Sequence, residues 1–193
     1  MKRRTFDAIA SLIGLMLAVL FLVVAGLMNW GASFTNDSVK TQLSAQAIHF
    51  PGKTGNSKES ADVTKFFADN ANKIMTTGKQ AQMYAENYIG FHLSHYPTYE
   101  VAANNSRAAD AALAGDPTNV DLQAKAKSAA STVETVFKGT ALQGTLLTAY
   151  AFGFFGTLAG IGTIVSLITG LLFLLLALMG YMHLRRTDES AAI

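Results

Sequence analysis

The sequence contains no cysteine and only three prolines in 193 residues. The absence of cysteine excludes disulfides, thiolate metal ligands and a lipoprotein acylation site, so an exported part must fold without cross-links. Charge is also missing from two long segments, residues 8–36 and residues 139–184, where His183 is the only side chain that can be charged near neutral pH. Apolar segments of this length without charge are typical of membrane-spanning helices.

The first uncharged segment predicts a transmembrane helix over residues 8–30, which ends at Trp30, a residue type enriched at membrane interfaces. A cleaved signal peptide is the alternative, but its apolar region is normally about 7–15 residues long. The second segment, residues 141–184, would form a helix of roughly 66 Å, about twice the ~30 Å hydrocarbon core. It therefore predicts a second transmembrane helix at about residues 161–184 and an extension, residues 141–160, outside the membrane.

Basic residues flank the two spans on the side of the chain termini: Lys2, Arg3, Arg4, Arg185 and Arg186. By the positive-inside rule, residues 1–7 and 185–193 are expected in the cytoplasm, and residues 31–140 on the outer face of the plasma membrane. Residues 37–138 contain ten acidic and ten basic side chains. Because this exported part is neutral, nucleic acid is not an expected partner, and membrane lipids are expected around the two spans.

Small side chains recur along the second span and its extension at steps of three, four or seven residues. They are Ala149, Gly153, Gly156, Gly160, Thr163, Gly170 and Ala177. Such spacing lets helix backbones approach closely in a membrane, although glycine is also enriched in membrane helices generally. Ser11, Gly14, Ala18 and Ala25 give the first span a complementary face. We expect helix packing or partner contacts at Gly153, Gly156, Gly160 and Gly170, with Phe152, Phe155 and Trp30 as the aromatic contacts.

The exported segment has helical periodicity. Helices are predicted over residues 60–75, 79–96, 98–113 and 119–137, with Asp116 and Pro117 as a helix start. Residues 39–50 are ambiguous. The predicted fold is an all-α membrane protein, in which two transmembrane helices form a hairpin, a helical domain is exported between them, and the long second helix extends out of the membrane.

The candidates for chemistry are few. His92 and His95 are three residues apart on one predicted helix, and Glu86 and His49 could complete a two-histidine, one-carboxylate metal set. On an ideal helix, however, Glu86 points about 120° or more away from either histidine. Packing and hydrogen bonding beside tyrosines is the favoured interpretation of both histidines. The sequence therefore predicts no catalytic residue, metal or cofactor, and uncharged spans are not expected to conduct ions or protons.

Five motifs spread over nearly the whole chain carry a resemblance to a known family. They are MNWG (28–31), QAIHFPG (46–52), TGKQAQMYAENYIGFHL (77–93), TYEVA (98–102) and TLLTAYAFGFFG (145–156). Together they resemble a two-span membrane protein family of actinobacteria whose members are often labelled aromatic ring-opening dioxygenases. One branch of this family, the prokaryotic respiratory supercomplex association factor, is an accessory subunit of the cytochrome bcc–aa3 supercomplex.

The resemblance implies a non-catalytic subunit that assembles or stabilises this supercomplex, with the larger subunits of the bcc and aa3 complexes as partners. The alternative is an independent membrane-anchored protein that binds a small molecule or a metal at the Tyr/His helix, residues 79–96. A ring-cleaving enzyme is not expected, because the sequence offers no adequate ligand set for its metal.

Overall fold

The computed structural model describes residues 3–186, which are almost wholly helical. In chain order the elements are α1 (Arg3–Gln46), α2 (Ala61–Asn70), α3 (Gly78–Met83), a π-helical segment (Tyr84–Ile89), α4 (Gly90–Leu93), α5 (Tyr99–Gly115) and α6 (Val120–Arg186). Within this range there is no strand, only an antiparallel bridge between His49 and Ile74. The all-α prediction is therefore confirmed for the described residues. Lys2 and residues 187–193, which belong to the predicted cytoplasmic termini, lie outside that range.

The chain divides into two compact units. Within the described residues, the first contains residues 3–37 and 154–186, and the second contains Ser38–Gly153. The second unit therefore differs from the expected exported domain at residues 31–140. It starts later because α1 does not stop near Trp30, and it ends later because Leu146, which is fully buried, belongs to its core.

α1 is one uninterrupted helix of 44 residues that runs 16 residues beyond the predicted span, to Gln46. The helix continues because its buried side chains continue beyond the predicted span, at Ala32, at Val39 seven residues later, and at Leu43 four residues after that. The polar residues at 36–38 therefore interrupt the hydrophobicity but not the helix. Ala47 ends it in the left-handed region, with φ of 51°.

α6 has 67 residues and starts at Val120, whereas a separate long helix was expected from residue 141. Gly139 lies between the two predicted helices, residues 119–137 and 141–184, and in the structure it lies within α6. A methyl group there would be 2.7 Å from Leu93 Cδ2, so Gly139 makes room for a neighbouring side chain. The start of α6 is also displaced from Asp116 and Pro117, because Asn119 Oδ1 accepts hydrogen bonds from the backbone N–H groups of Asp121 and Leu122.

Both long helices contain a segment long and apolar enough to cross a membrane. This establishes their length and composition, in agreement with the two apolar spans that the sequence predicts. The most apolar window of each is largely exposed in the isolated chain, with 11% of the window buried in α1 and 17% in α6. Side chains so placed need lipid or protein to cover them.

The second unit has a core of its own. The largest buried side chains there are Leu43, Phe50, Phe67, Met75 and Leu146. The segment after α1 is fixed by backbone pairing, since the Met75 N–H donates to the Ile48 carbonyl and the Phe50 N–H donates to the Lys73 carbonyl. This pairing ends α2 earlier than the predicted residue 75. The second unit therefore joins the end of α1, the short helices and the first part of α6 around one core.

Candidate helix-packing surface and aromatic helix

In the first unit, α1 and α6 run antiparallel and pack through small side chains. A methyl group on Gly14 would lie 3.5 Å from Ala177 Cβ, and one on Gly170 would lie 3.0 Å from Leu22 Cγ and 3.3 Å from the Ala18 carbonyl oxygen. Between these two contacts, the Phe21 and Phe173 rings stack with their centroids 5.9 Å apart. The order of these contacts, rising on α1 and falling on α6, defines the antiparallel arrangement.

The contact stripe repeats every seven residues. On α1, Ala18, Ala25 and Ala32 are buried at this spacing, and on α6 the buried residues include Gly170 and Ala177. A repeat of seven is typical of two helices that supercoil around each other. Because the side chains at the stripe are alanine and glycine, close backbone packing holds the pair together.

Gly156 and Gly160 have different surroundings although they form one GxxxG pair. A methyl group on Gly156 would lie 2.8 Å from Asn36 Oδ1 and 3.4 Å from Thr35 Cβ. At Gly160 no described atom lies within 4 Å of that position. Gly160 is roughly 40° from Gly156 around the helix, while Thr163 and Gly170 are roughly 20° and 40° away on the opposite side. The stripe that faces α1 follows Thr163 and Gly170, so within the described chain the Cβ position of Gly160 is open, and a partner contact at Gly160 stays a prediction.

Gly153 belongs to a different contact, within the second unit. It lies against Gly78 at the start of α3, where a methyl group on Gly78 would be 3.1 Å from the Ala149 carbonyl oxygen and 3.2 Å from the Cα atoms of Tyr150 and Gly153. Three backbone atoms surround this position, and none of them can move without moving α6. Only glycine fits at Gly78 without opening the crossing. Thr77 and Gln80 form a capping box directly beside it, which fixes the start of α3.

The aromatic residues expected as contacts lie on the surface of the described chain. Trp30 is 68% exposed and stacks on Phe34 with ring centroids 5.7 Å apart. Phe152 and Phe155 are 54% and 63% exposed, and the neighbouring Phe154 is exposed as well. The small side chains of the stripe therefore pack inside the units, while these four aromatic rings face outward. Exposed aromatic rings of this kind suit a membrane interface or a protein partner.

The Tyr/His helix contains a feature that the sequence did not reveal. Residues Tyr84–Ile89 are π-helical, and the Ala85 carbonyl accepts from the Gly90 N–H. The same carbonyl accepts a second hydrogen bond of 3.1 Å from Gln143 Nε2 of α6. Gly90 makes this possible, because a methyl group there would lie 3.3 Å from Gln143 Nε2. Short π-helical segments are frequent at functional sites.

A ladder of rings follows this helix. Ring centroids are 5.6 Å apart for Phe50 and Tyr84, 4.8 Å for Tyr84 and Tyr88, and 4.4 Å for Tyr88 and His92. Burial of the phenol and the neighbouring Tyr88 raise the pKa of Tyr84 above its usual value. Gly55 lies beside Phe91 and His92, at the far end of the ladder. Its backbone is in the left-handed region, with φ of 89°.

The two histidines expected to act in packing are bound to the backbone of their own helix. His92 Nδ1 lies 2.7 Å from the Tyr88 carbonyl, and His95 Nδ1 lies 3.0 Å from the Phe91 carbonyl. Since a carbonyl only accepts, each Nδ1 carries the proton. Glu86 Oε1 accepts from Gln82 Nε2 at 3.2 Å. Within residues 3–186, no three histidine, aspartate or glutamate side chains form a cluster that could hold a metal ion.

Sequence reasoning missed Asn36 and Met28 as neighbours of Gly156 and Gly162, and Gly78 as the neighbour of Gly153. Met28 and Asn36 lie three and eleven residues after Ala25, roughly 60° and 20° from it around an ideal helix, so both continue the small-residue face of α1 that the sequence contains. The contact of Gly78 has no such signal, because it depends on where the capped start of α3 meets α6.

Comparison with known proteins adds no relative: no family model, curated protein or solved structure matches the chain.

Proposed function

We propose that this protein is a non-catalytic accessory subunit of a membrane complex, anchored by its two apolar helices. The observation that carries the proposal is the distribution of side chains on α1 and α6. Alanine and glycine are used for packing within the chain, whereas Trp30, Phe34 and Phe155 remain exposed. Large rings on an otherwise complete helix pair supply contact area for another protein at low entropic cost.

The proposed membrane arrangement uses the antiparallel pair of the first unit as a transmembrane hairpin. The spans would be residues 8–30 and 161–184, with the basic flanks in the cytoplasm and the second unit on the outer face. Protease added to intact spheroplasts should then cut within residues 37–138 and leave terminal tags intact. Removal of either tag by the external protease would contradict this topology.

The proposed complex is the cytochrome bcc–aa3 supercomplex, and this step rests on the resemblance of the five motifs. The uncharged spans agree with such a role, because they offer contact surface and no ionisable pathway through the hydrocarbon. The larger subunits of both complexes would bind the outward rings, and the chain would assemble or stabilise them without a cofactor of its own.

Purification of the tagged chain from native membranes in mild detergent tests this assignment. We expect the haem-containing subunits of both complexes to be recovered with it, and deletion of its gene to lower supercomplex yield without changing the haem spectra. Phe155→Ala should reduce recovery, whereas Leu175→Ala, at a comparably exposed apolar position, should not. A purified supercomplex without this chain, or loss of a haem signal on deletion, would exclude the role.

A second candidate is a small-molecule binding protein that uses the Tyr/His helix. The π-helical segment Tyr84–Ile89 and its ring ladder favour this candidate, because irregular helices with stacked rings occur at ligand sites. Tyr88→Phe with Tyr84→Phe would separate the two candidates. These changes keep the rings and remove the hydroxyl groups, so an accessory subunit should still assemble.

A further inference from the structure

Two grooves flank the helix crossing at one end of the α1–α6 pair in the first unit. The first has a volume of about 530 Å³ and the second about 370 Å³. Both exist because the crossing between them contains small residues, among them Ser11 and Ala177, which line both grooves. The walls are largely apolar, with Ile9, Ile13 and Phe173 in the first groove and Leu12, Leu15 and Leu178 in the second.

The two grooves differ in one charged group. Asp7 lines the first groove, and its Oδ2 atom is buried without a hydrogen-bond partner in the described part of the chain. The Nε2 atom of His183 lies 3.8 Å from it, which is beyond hydrogen-bond distance. The second groove has no carboxylate among its lining residues. A buried carboxylate oxygen without a donor is costly, so a donor is expected from a molecule in the first groove.

We propose that the first groove binds one phospholipid whose headgroup carries a primary ammonium. The ammonium donates to the carboxyl group of the Asp7 side chain, which is 19% exposed, and an acyl chain lies along Ile9, Ile13 and Phe173. Asp7 directly precedes the uncharged run that starts at Ala8, so it would lie at headgroup depth. An ammonium supplies both the missing donors and the opposite charge, whereas a headgroup with only a phosphate would meet repulsion from the carboxylate. The inference rests on the proposed membrane placement and is independent of the identity of the partner complex.

Native mass spectrometry of the full chain, titrated in detergent with phosphatidylethanolamine or phosphatidylglycerol of identical acyl chains, tests this site. We expect one phosphatidylethanolamine to bind about tenfold more tightly, the effect of one hydrogen bond to a charged group. Asp7→Asn should bring the two affinities close together while leaving the groove shape intact. Equal binding of the two lipids to the unaltered protein would overturn the proposal.

A matched pair of variants tests the groove itself without changing charge. Ala10 lines the first groove and Ala8 lines the second, so Ala10→Leu should lower phosphatidylethanolamine binding and Ala8→Leu should leave the preference unchanged. An equal effect of both changes would contradict the assignment to one groove. This pair keeps the proposal testable should Asp7→Asn fail to fold.

His183→Gln distinguishes the lipid from an ion pair within the chain. If the ammonium binds Asp7 directly, the lipid preference persists without His183, whereas its loss would show that the Asp7–His183 pair creates it and would overturn the proposal. Alkaline extraction of membranes provides the separate test of placement. Extraction of the chain by alkali would contradict the membrane assignment. Retention of the chain in the membrane without a lipid preference would contradict only the lipid site.

Discussion

The closest backbone crossing in the second unit, between Gly78 and α6, allows a sharp test of the fold. A methyl group in Gly78→Ala would lie 3.1–3.2 Å from the Ala149 carbonyl oxygen and from the Cα atoms of Tyr150 and Gly153. These are backbone atoms of a continuous helix, so the strain cannot be relieved by rotating a side chain. Overpacking of this kind typically costs about 1–3 kcal/mol.

Gly144→Ala is the matched control, because it is the same change on α6 at a position with no described atom within 4 Å. It should stabilise the helix by about 1 kcal/mol through propensity alone. Gly78 is the first residue of α3, where a change to alanine gains less helix propensity. The two variants should therefore differ by about 2–4 kcal/mol in the free energy of unfolding. For a chain of this size that corresponds to roughly 5–15 °C between their unfolding midpoints.

Near-ultraviolet circular dichroism during thermal unfolding of the full chain in detergent is a suitable assay. Five of the six tyrosines lie in the second unit, at positions 84, 88, 96, 99 and 150, so the tyrosine signal reports mainly on that unit. If Gly78→Ala unfolds at the same temperature as Gly144→Ala or above it, the close crossing of α3 and α6 is wrong.

Three further predictions concern the helix pair, Tyr84 and the histidines. Gly156→Leu should weaken the α1–α6 contact by about 1–3 kcal/mol, whereas Gly160→Leu should not destabilise the chain. A loss of partner recovery with Gly160→Leu alone would place a partner at that surface. The pKa of Tyr84 is raised in the folded state, so this phenol stabilises the fold fully below its unfolded pKa of about 10, and the stabilisation is lost as the pH rises through the folded pKa. Tyr84→Phe should therefore remove tyrosinate absorbance that develops above about pH 10. The same change should make the protein less sensitive to alkaline unfolding. If Tyr84→Phe instead removes tyrosinate absorbance that develops near pH 10, the burial of this phenol is contradicted. Replacement of both His92 and His95 by Gln should leave assembly and bound metal unchanged, and loss of stoichiometric iron, zinc or copper would restore the metal-site hypothesis.

The parts of the fold that sequence reasoning could predict are those set by local periodicity. The helical character of residues 60–137 follows from apolar residues at helical spacing and from capping residues such as Ser60, Thr77 and Thr98, each of which accepts a hydrogen bond at the start of its helix. The two long apolar helices follow from the two charge-free runs. Capping and periodicity both involve residues that are close together in the sequence, within a few helical turns.

The errors concern features that depend on distant residues. Gly139 resembles a helix end in the sequence, but its role is to accommodate Leu93, which is more than forty positions away. The π-helical segment depends on Gln143, whose amide reaches the Ala85 carbonyl across the second unit. The residues next to Gly139 and Gln143 in the sequence carry no signal for these contacts. The orphan oxygen of Asp7 is likewise visible only after α1 and α6 have packed.

The separation of small and large side chains also determines how folding and partner binding can be distinguished. Gly14, Gly156 and Gly170 are occupied by contacts within the chain, so a larger side chain there should damage the helix pair before it affects any partner. The side chains of Trp30 and Phe155 are largely exposed, so truncating them removes little packing within the chain. Since aromatic rings contribute disproportionately to interface free energy, a partner that binds this protein should depend on the rings and be indifferent to Gly14 as long as the chain is folded. Variants at the two sets of positions should therefore separate into folding defects and binding defects, and an accessory subunit requires the second class to exist.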